Sequence, residues 1–158
     1  MNDLTHQLRK ADRLRAITQR VGFALWQLQE LEGTSAQYFV LVAQAKQGMG
    51  LEAGNALVDD AQSKTFGKTI TKLVRAKHLP EQVESRFQAL VAERNWLVHN
   101  SRSTSRNAMH DDEACGKLTA RLDQIAEEAH LLLKEVGKCA EAFVKKYGVS
   151  TAKIDELA

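Results

Sequence analysis

An all-α fold, an up-and-down bundle of four to five helices, is predicted by three features of this 158-residue chain. Apolar residues recur at spacings of three and four through most of its length. Strong helix formers abound while proline occurs once, at Pro80. No segment of useful length alternates with the period of two that a half-buried strand requires.

The first helix is predicted from Leu4, Leu8, Ala11, Leu14, Ile17, Val21, Leu25, Leu28 and Leu31, all on one stripe. Gly33 costs a helix interior only about 1 kcal/mol, so the helix is expected to continue to Ala45 with Tyr38, Phe39 and Val42 inward. Gly48-Met49-Gly50 ends it. A short helix is expected over Glu52 to Ala61, and another over Thr65 to Lys77 with Phe66, Ile70, Leu73 and Val74 inward. Leu79-Pro80-Glu81 restarts the chain, with Pro80 at the first helical position, where its missing N–H is harmless. The helix that follows places Val83, Phe87, Leu90, Arg94 and Leu97 on one stripe. Ser101 to Asp112 is polar and rich in Ser and Arg, and reads as a loop. The last helix carries a seam of Leu118, Leu122, Ile125, Ala129, Leu132, Val136, Cys139 and Phe143, more than three heptads long and suited to nearly antiparallel packing.

Composition bounds the function. A chain of this length forms one domain, expected to span residues 1–158, with a core that needs no metal or disulfide. The formal net charge of +2 is too small for bulk electrostatics to favour nucleic acid, so any such binding must rest on local patches. Cys115 and Cys139 stand apart without metal-ligand spacing and read as reduced thiols. No basic-then-apolar leader opens the sequence and no apolar run reaches the roughly 18 residues of a membrane span, so the expectation is a cytoplasmic protein without membrane contact.

The polar chemistry concentrates in Glu93-Arg94-Asn95-Trp96-Leu97-Val98-His99, where a guanidinium, an amide and an imidazole interrupt an apolar stripe. Burying such groups is costly unless they are paired or functional. Asn95 and His99 are four apart and share a face, so the amide can orient the ring. Arg94 and His99 are five apart, about 140° around the axis, so one helix does not aim both at one atom. A two-fold axis bringing two copies together would place two Arg94 and two His99 in one cleft. That set suits phosphodiester chemistry, with Arg neutralising developing charge and His moving protons. The competing reading pairs Arg94 with a buried acid and lets His99 cap the helix end through its carbonyls.

Arg94-Asn95, three apolar residues, then His99 resembles the Arg–polar–x–x–x–His signature of the HEPN superfamily (higher eukaryotes and prokaryotes nucleotide-binding). Thr65-Phe66-Gly67-Lys68 and the Leu79-Pro80 helix start also look like what precedes that motif in bacterial members. The resemblance runs from Val21 to Tyr147 in helix order and is specific over Phe66 to His99. It implies a dimerising α-helical bundle, often a metal-independent endoribonuclease acting at the dimer cleft through the residues matching Arg94 and His99, with Asn95 at the supporting polar position. No cofactor is implied. Many relatives are toxins or parts of antiviral defence, so an antitoxin or nucleotidyltransferase partner is an expectation. Other relatives are non-catalytic modules that bind RNA, nucleotide or protein.

The remaining candidates are weaker. Phe66-Gly67-Lys68-Thr69 is no phosphate loop, because Gln62 stands where the first glycine belongs and no strand precedes it. Gly67 is instead expected to permit close helix packing. In His110-Asp111-Asp112-Glu113 an aspartate is expected to cap the last helix, with no metal bound. Arg102 and Arg106 follow the motif and are candidates for holding RNA phosphates. Arg13, Arg15 and Arg20 read as a wet helix face, His78 as solvent-exposed, and His130 as an interface histidine.

Overall fold

Every described element is helical, with no strand among the described residues, in a computed structural model that describes residues 2–147. The expected single domain over 1–158 therefore includes Met1 and residues 148–158, which lie outside the described residues. Helix α1 spans Asn2–Phe39, passing Gly33 without a break, and ends in a π-helical turn over Val40–Gln44. The helical path ends at Ala45, which is extended, and Gly48 and Gly50, at positive φ of 79° and 84°, then turn the chain into the next helix. Helices α2 (Leu51–Gln62), α3 (Phe66–Arg75) and α4 (Glu81–His99) follow. A single turn, α5 (Ser101–Thr104), and a 3-10 turn over Arg106–Met109 lead into α6 (Asp112–Lys146).

Local chemistry sets the boundaries. The Thr65 side chain accepts from the Lys68 N–H and opens α3, and the Asp111 carboxylate accepts from the Ala114 N–H at 2.7 Å and opens α6. Asp112 and Glu113 then lie in the first turn of α6 and Lys145 and Lys146 in the last, the arrangement the helix dipole favours. Pro80 stands one position outside its expected place: with φ −59° and ψ 140° it is the N-cap of α4. Beyond α3 the chain turns at Lys77, whose φ of 54° makes it the one positive-φ residue other than glycine among those described. Lys77 N–H donates to Val74 O and His78 N–H to Leu73 O, both at 3.0 Å, the bonding pattern of a Schellman cap.

Packing follows from ion pairs that report helix direction. Arg13 meets Asp112 and Arg20 meets Asp123, so α1 and α6 run parallel. Arg86 meets Glu128 and Glu93 meets Arg121, so α4 runs antiparallel to α6. The most extensive contact is α1 on α6. Between the helices the core holds Leu28, Leu31, Ile70, Leu73, Phe87, Leu122, Leu132 and Val136, each at most 2% exposed. Each such side chain contributes about 1.5–3 kcal/mol by leaving water. An added Cβ at Gly67 would touch Val91 Cγ1 at 3.4 Å, so this glycine does let α3 approach α4.

Several expectations are corrected. Leu4, Leu8 and Leu14, assigned to the core stripe, are 68%, 58% and 45% exposed. Periodicity continues there, but the Arg13–Asp112 pair marks the level at which α6 begins, so no helix starts early enough to cover the first turns of α1. The expected 101–112 loop is mostly helical turns, because Ser101, Ser103 and Thr104 hydroxyls donate to the Leu97 and Asn100 carbonyls and continue the helical path. Arg13 and Arg20 are not a merely wet face; both bind α6 aspartates, and Arg13 also donates to Met109 O. His78 is half-buried and His130 is exposed, the reverse of the expectation, since His78 sits under the turn gripped by α1 while His130 points off the α6 seam. Cys115 and Cys139 are free thiols, one buried and one half-buried.

Tyr38 ties the α3–α4 turn to α1: its hydroxyl donates to His78 O at 2.7 Å from a ring only 5% exposed. Burial, with a smaller contribution from Cys139, pushes its pKa up to about 12. In the unfolded chain the phenol ionises near 10, so the folded state retains its proton where the unfolded state has lost it. Stability from this residue is full below pH 10 and lost as pH rises towards 12. Tyr38→Phe is expected to lower stability at neutral pH by about 1 kcal/mol and to flatten the decline between pH 10 and 12, read by urea unfolding. A decline as steep in the variant as in the parent would refute the assignment. Replacing Lys77 by Gly relieves the left-handed strain of a side chain, and a gain of roughly 0.5 kcal/mol is expected in the same assay after the added unfolded-state entropy.

Candidate functional site

The end of α4 presents its polar residues in two directions. On a 3.6-residue helix Arg94 shares the side of Val83, Phe87, Leu90 and Leu97, all buried, whereas Asn95 and His99 point away from the bundle. Arg94 therefore faces α1. Its Nε donates to Glu32 Oε1 at 2.9 Å, with both side chains under 30% exposed. Its Nη1 lies 3.5 Å from Asn95 Oδ1. Asn95 and His99 are exposed, and His99 has no hydrogen-bond or ion-pair partner among the described residues.

The alternative role for His99, capping α4, is filled by other groups. Asn100 N–H donates to Trp96 O at 2.8 Å, and Ser101 Oγ donates to Leu97 O at 2.6 Å. The imidazole therefore stands in solvent in the last turn of α4.

Support for this turn comes from two residues outside the 93–99 stretch, Arg121 and Thr104. Arg121 on α6 donates to both Glu93 oxygens, at 2.7 and 2.8 Å, and its guanidinium lies 3.3 Å from the centre of the Trp96 ring. The Glu93 hydrogen bond holds the Arg121 pKa above its ordinary value. Trp96 Nε1 donates to Thr104 Oγ1 at 3.0 Å and so fastens the segment after the motif. Glu93 lies next to Arg94 in the chain, which was a local signal; nothing near Glu32 or Arg121 in sequence marks them as partners.

Arg102 and Arg106 are exposed and line a groove of about 660 Å³ with Lys10, Ile17 and Leu118, between α1 and the start of α6. Neither arginine has a carboxylate partner among the described residues, although Arg13 close by is neutralised by Asp112. The five candidate residues thus fall into three settings. Arg94 points inward, Asn95 and His99 point outward, and Arg102 and Arg106 line a groove against α1. No His, Cys, Asp or Glu cluster able to hold a metal ion occurs among the described residues, and Asp111 of the His110–Glu113 run serves as a cap. Among the described residues no helix is long and apolar enough to cross a membrane.

The Arg94–Glu32 pair is half-buried, so it should couple more strongly than a surface pair. A double-mutant cycle of Arg94→Met and Glu32→Gln is expected to give about 1 kcal/mol of coupling by urea unfolding. Coupling below about 0.3 kcal/mol would show that the pair holds nothing.

No protein-family model, curated protein or solved structure matches this chain.

Proposed function

We propose that this chain is a HEPN-like helical domain that dimerises and cleaves RNA without a metal or other cofactor. The observation that carries the reading is the combination in α4 of an outward, unpartnered His99 with Asn95 on the same face and the Arg94 guanidinium against the Asn95 amide. One chain offers a single imidazole, whereas transesterification asks for a base and an acid. A second copy across a two-fold axis would supply the other.

In the reaction, the ribose 2′-oxygen forms a bond to the adjacent phosphorus and the bond to the departing 5′-oxygen breaks. One His99 takes the 2′-hydroxyl proton and the other protonates the leaving oxygen. The products are a 2′,3′-cyclic phosphate and a 5′-hydroxyl. With RNA bound, Asn95, four residues before His99 on the same face, would position the ring. Arg94 would offer its Nη N–H groups to the phosphate while Glu32 holds its Nε and offsets part of its charge, and Arg102 and Arg106 offer further phosphate contacts. In this reading the protein is cytoplasmic and belongs to a toxin or defence system, with an antitoxin or nucleotidyltransferase as regulator.

A second reading rests on the Arg94–Glu32 pair. An arginine already occupied by a carboxylate of the same chain serves as a staple between α1 and α4, and the domain is then a non-catalytic module for RNA, nucleotide or a protein partner. Incubating purified protein with end-labelled RNA in EDTA separates the two. The enzyme reading expects cyclic-phosphate products, a loss of about 10²-fold or more in His99→Ala, and a dimer by light scattering. Equal cleavage by wild type and His99→Ala removes the site, and RNA that is bound but never cut selects the second reading.

A further inference from the structure

The chain's positive charge is not spread evenly. Between Asp60 and Glu81 there are five cations, Lys64, Lys68, Lys72, Arg75 and Lys77, and no carboxylate, so the remainder of this net +2 chain is net negative. Helix α3 lies at the centre of that segment. Its apolar side, Phe66, Ile70 and Leu73, is buried in the core. On a 3.6-residue helix Lys68, Lys72 and Arg75 fall within about 60° of one another on the opposite side, over two turns. All three are exposed, and none has a carboxylate partner among the described residues. Together with Gln88 and Val91 of α4 they border a shallow depression of about 470 Å³.

Gln88 links this row to the face described above. Gln88, Asn95 and His99 lie within about 40° on α4, with His99 about 16 Å along the axis from Gln88. A polyanion laid on the α3 cations would therefore pass Gln88 on a line towards Asn95 and His99.

From this arrangement we infer that the outer face of α3, through Lys68, Lys72 and Arg75, is a docking surface for the phosphate backbone of single-stranded RNA. The inference rests on the RNA reading of His99 for the choice of RNA as the polyanion and for the direction in which the strand leaves. Lysine-dominated, evenly spaced contacts suit sequence-independent phosphate binding, since an ammonium is a point charge without the planar fork that reads base edges. A membrane surface is a poorer fit. An interfacial helix needs an apolar face free to insert beside its cations, and that face of α3 is buried. Among the described residues the large exposed apolar side chains lie on other elements, Leu4, Leu8, Phe23 and Trp26 on α1 and Leu51 on α2 among them, and none is on α3.

The test uses the full chain carrying His99→Ala, so that binding is read without cleavage. Anisotropy of a fluorescent single-stranded RNA is followed across salt concentrations. Replacing Lys68, Lys72 and Arg75 together by Gln is expected to weaken binding at least 10-fold and to reduce the slope of log affinity against log salt by about 2. Neutralising Lys134, Lys145 and Lys146 on α6 should change affinity less than 3-fold. Circular dichroism checks that both triple variants fold, and the three single α3 variants replace a triple that does not. Unchanged affinity and slope in the α3 variants overturn the inference. So does preferential binding of phosphatidylserine vesicles or polyglutamate over RNA through the same residues. Because cleavage is never measured, failure of the catalytic reading leaves this result standing, and the reverse also holds.

Discussion

The register between α4 and α6 is the constraint on which the rest of this protein depends, and two charge pairs specify it. Arg86 and Glu93 stand seven residues apart on α4, and their partners Glu128 and Arg121 stand seven apart on α6 in the opposite sense. The signs are crossed. Sliding the antiparallel pair by one heptad in one direction would set Arg86 against Arg121; in the other it would set Glu93 against Glu128. An apolar seam tolerates such a slip, because Leu and Ile replace one another along it, whereas like charges do not. Both pairs are bidentate and part-buried, the geometry in which an arginine–carboxylate contact discriminates best.

From that register the outer features follow. With α4 held on α6, Arg94 is delivered to Glu32 of α1, and the opposite face of α4 is left to solvent with Asn95 and His99 on it. Arg121 does double duty by lying on the Trp96 ring, and Trp96 passes the constraint on to Thr104. The segment carrying Arg102 and Arg106 is thereby folded back against α1 rather than left as a free arm. The exposed imidazole thus sits on a rigid base. A group meant to meet a second molecule is better carried on such a base than on a loop, since less freedom is lost on binding.

Much of this was legible in the residues. The last helix was readable because its seam persists for several heptads, and seven of its eight seam positions from Leu118 to Phe143 lie in or against the core. Continuity through Gly33 was readable because one glycine costs less than the packing of the residues on either side returns. The divergence of Arg94 from Asn95 and His99 was readable from helical period alone. The partner of Arg94 was not: Glu32 is 62 residues away, and Glu30 beside it is another carboxylate with no local mark to separate the two. Leu4 and Leu8 misled, because periodicity reports a capacity for burial and cannot report whether another helix reaches that far.

The sequence by itself determined that this chain is helical, where its longer helices begin and end to within a few residues, and that its most concentrated polar chemistry lies at residues 93–99. Those properties depend on neighbours within a turn or two, which the chain carries locally. Only the tertiary structure decided that Arg94 is bound by α1, that His99 is left without a partner, and that the cations of α3 form one outward row beside α4. Those depend on which helices meet and in what register, and that is set by contacts between residues far apart in the chain.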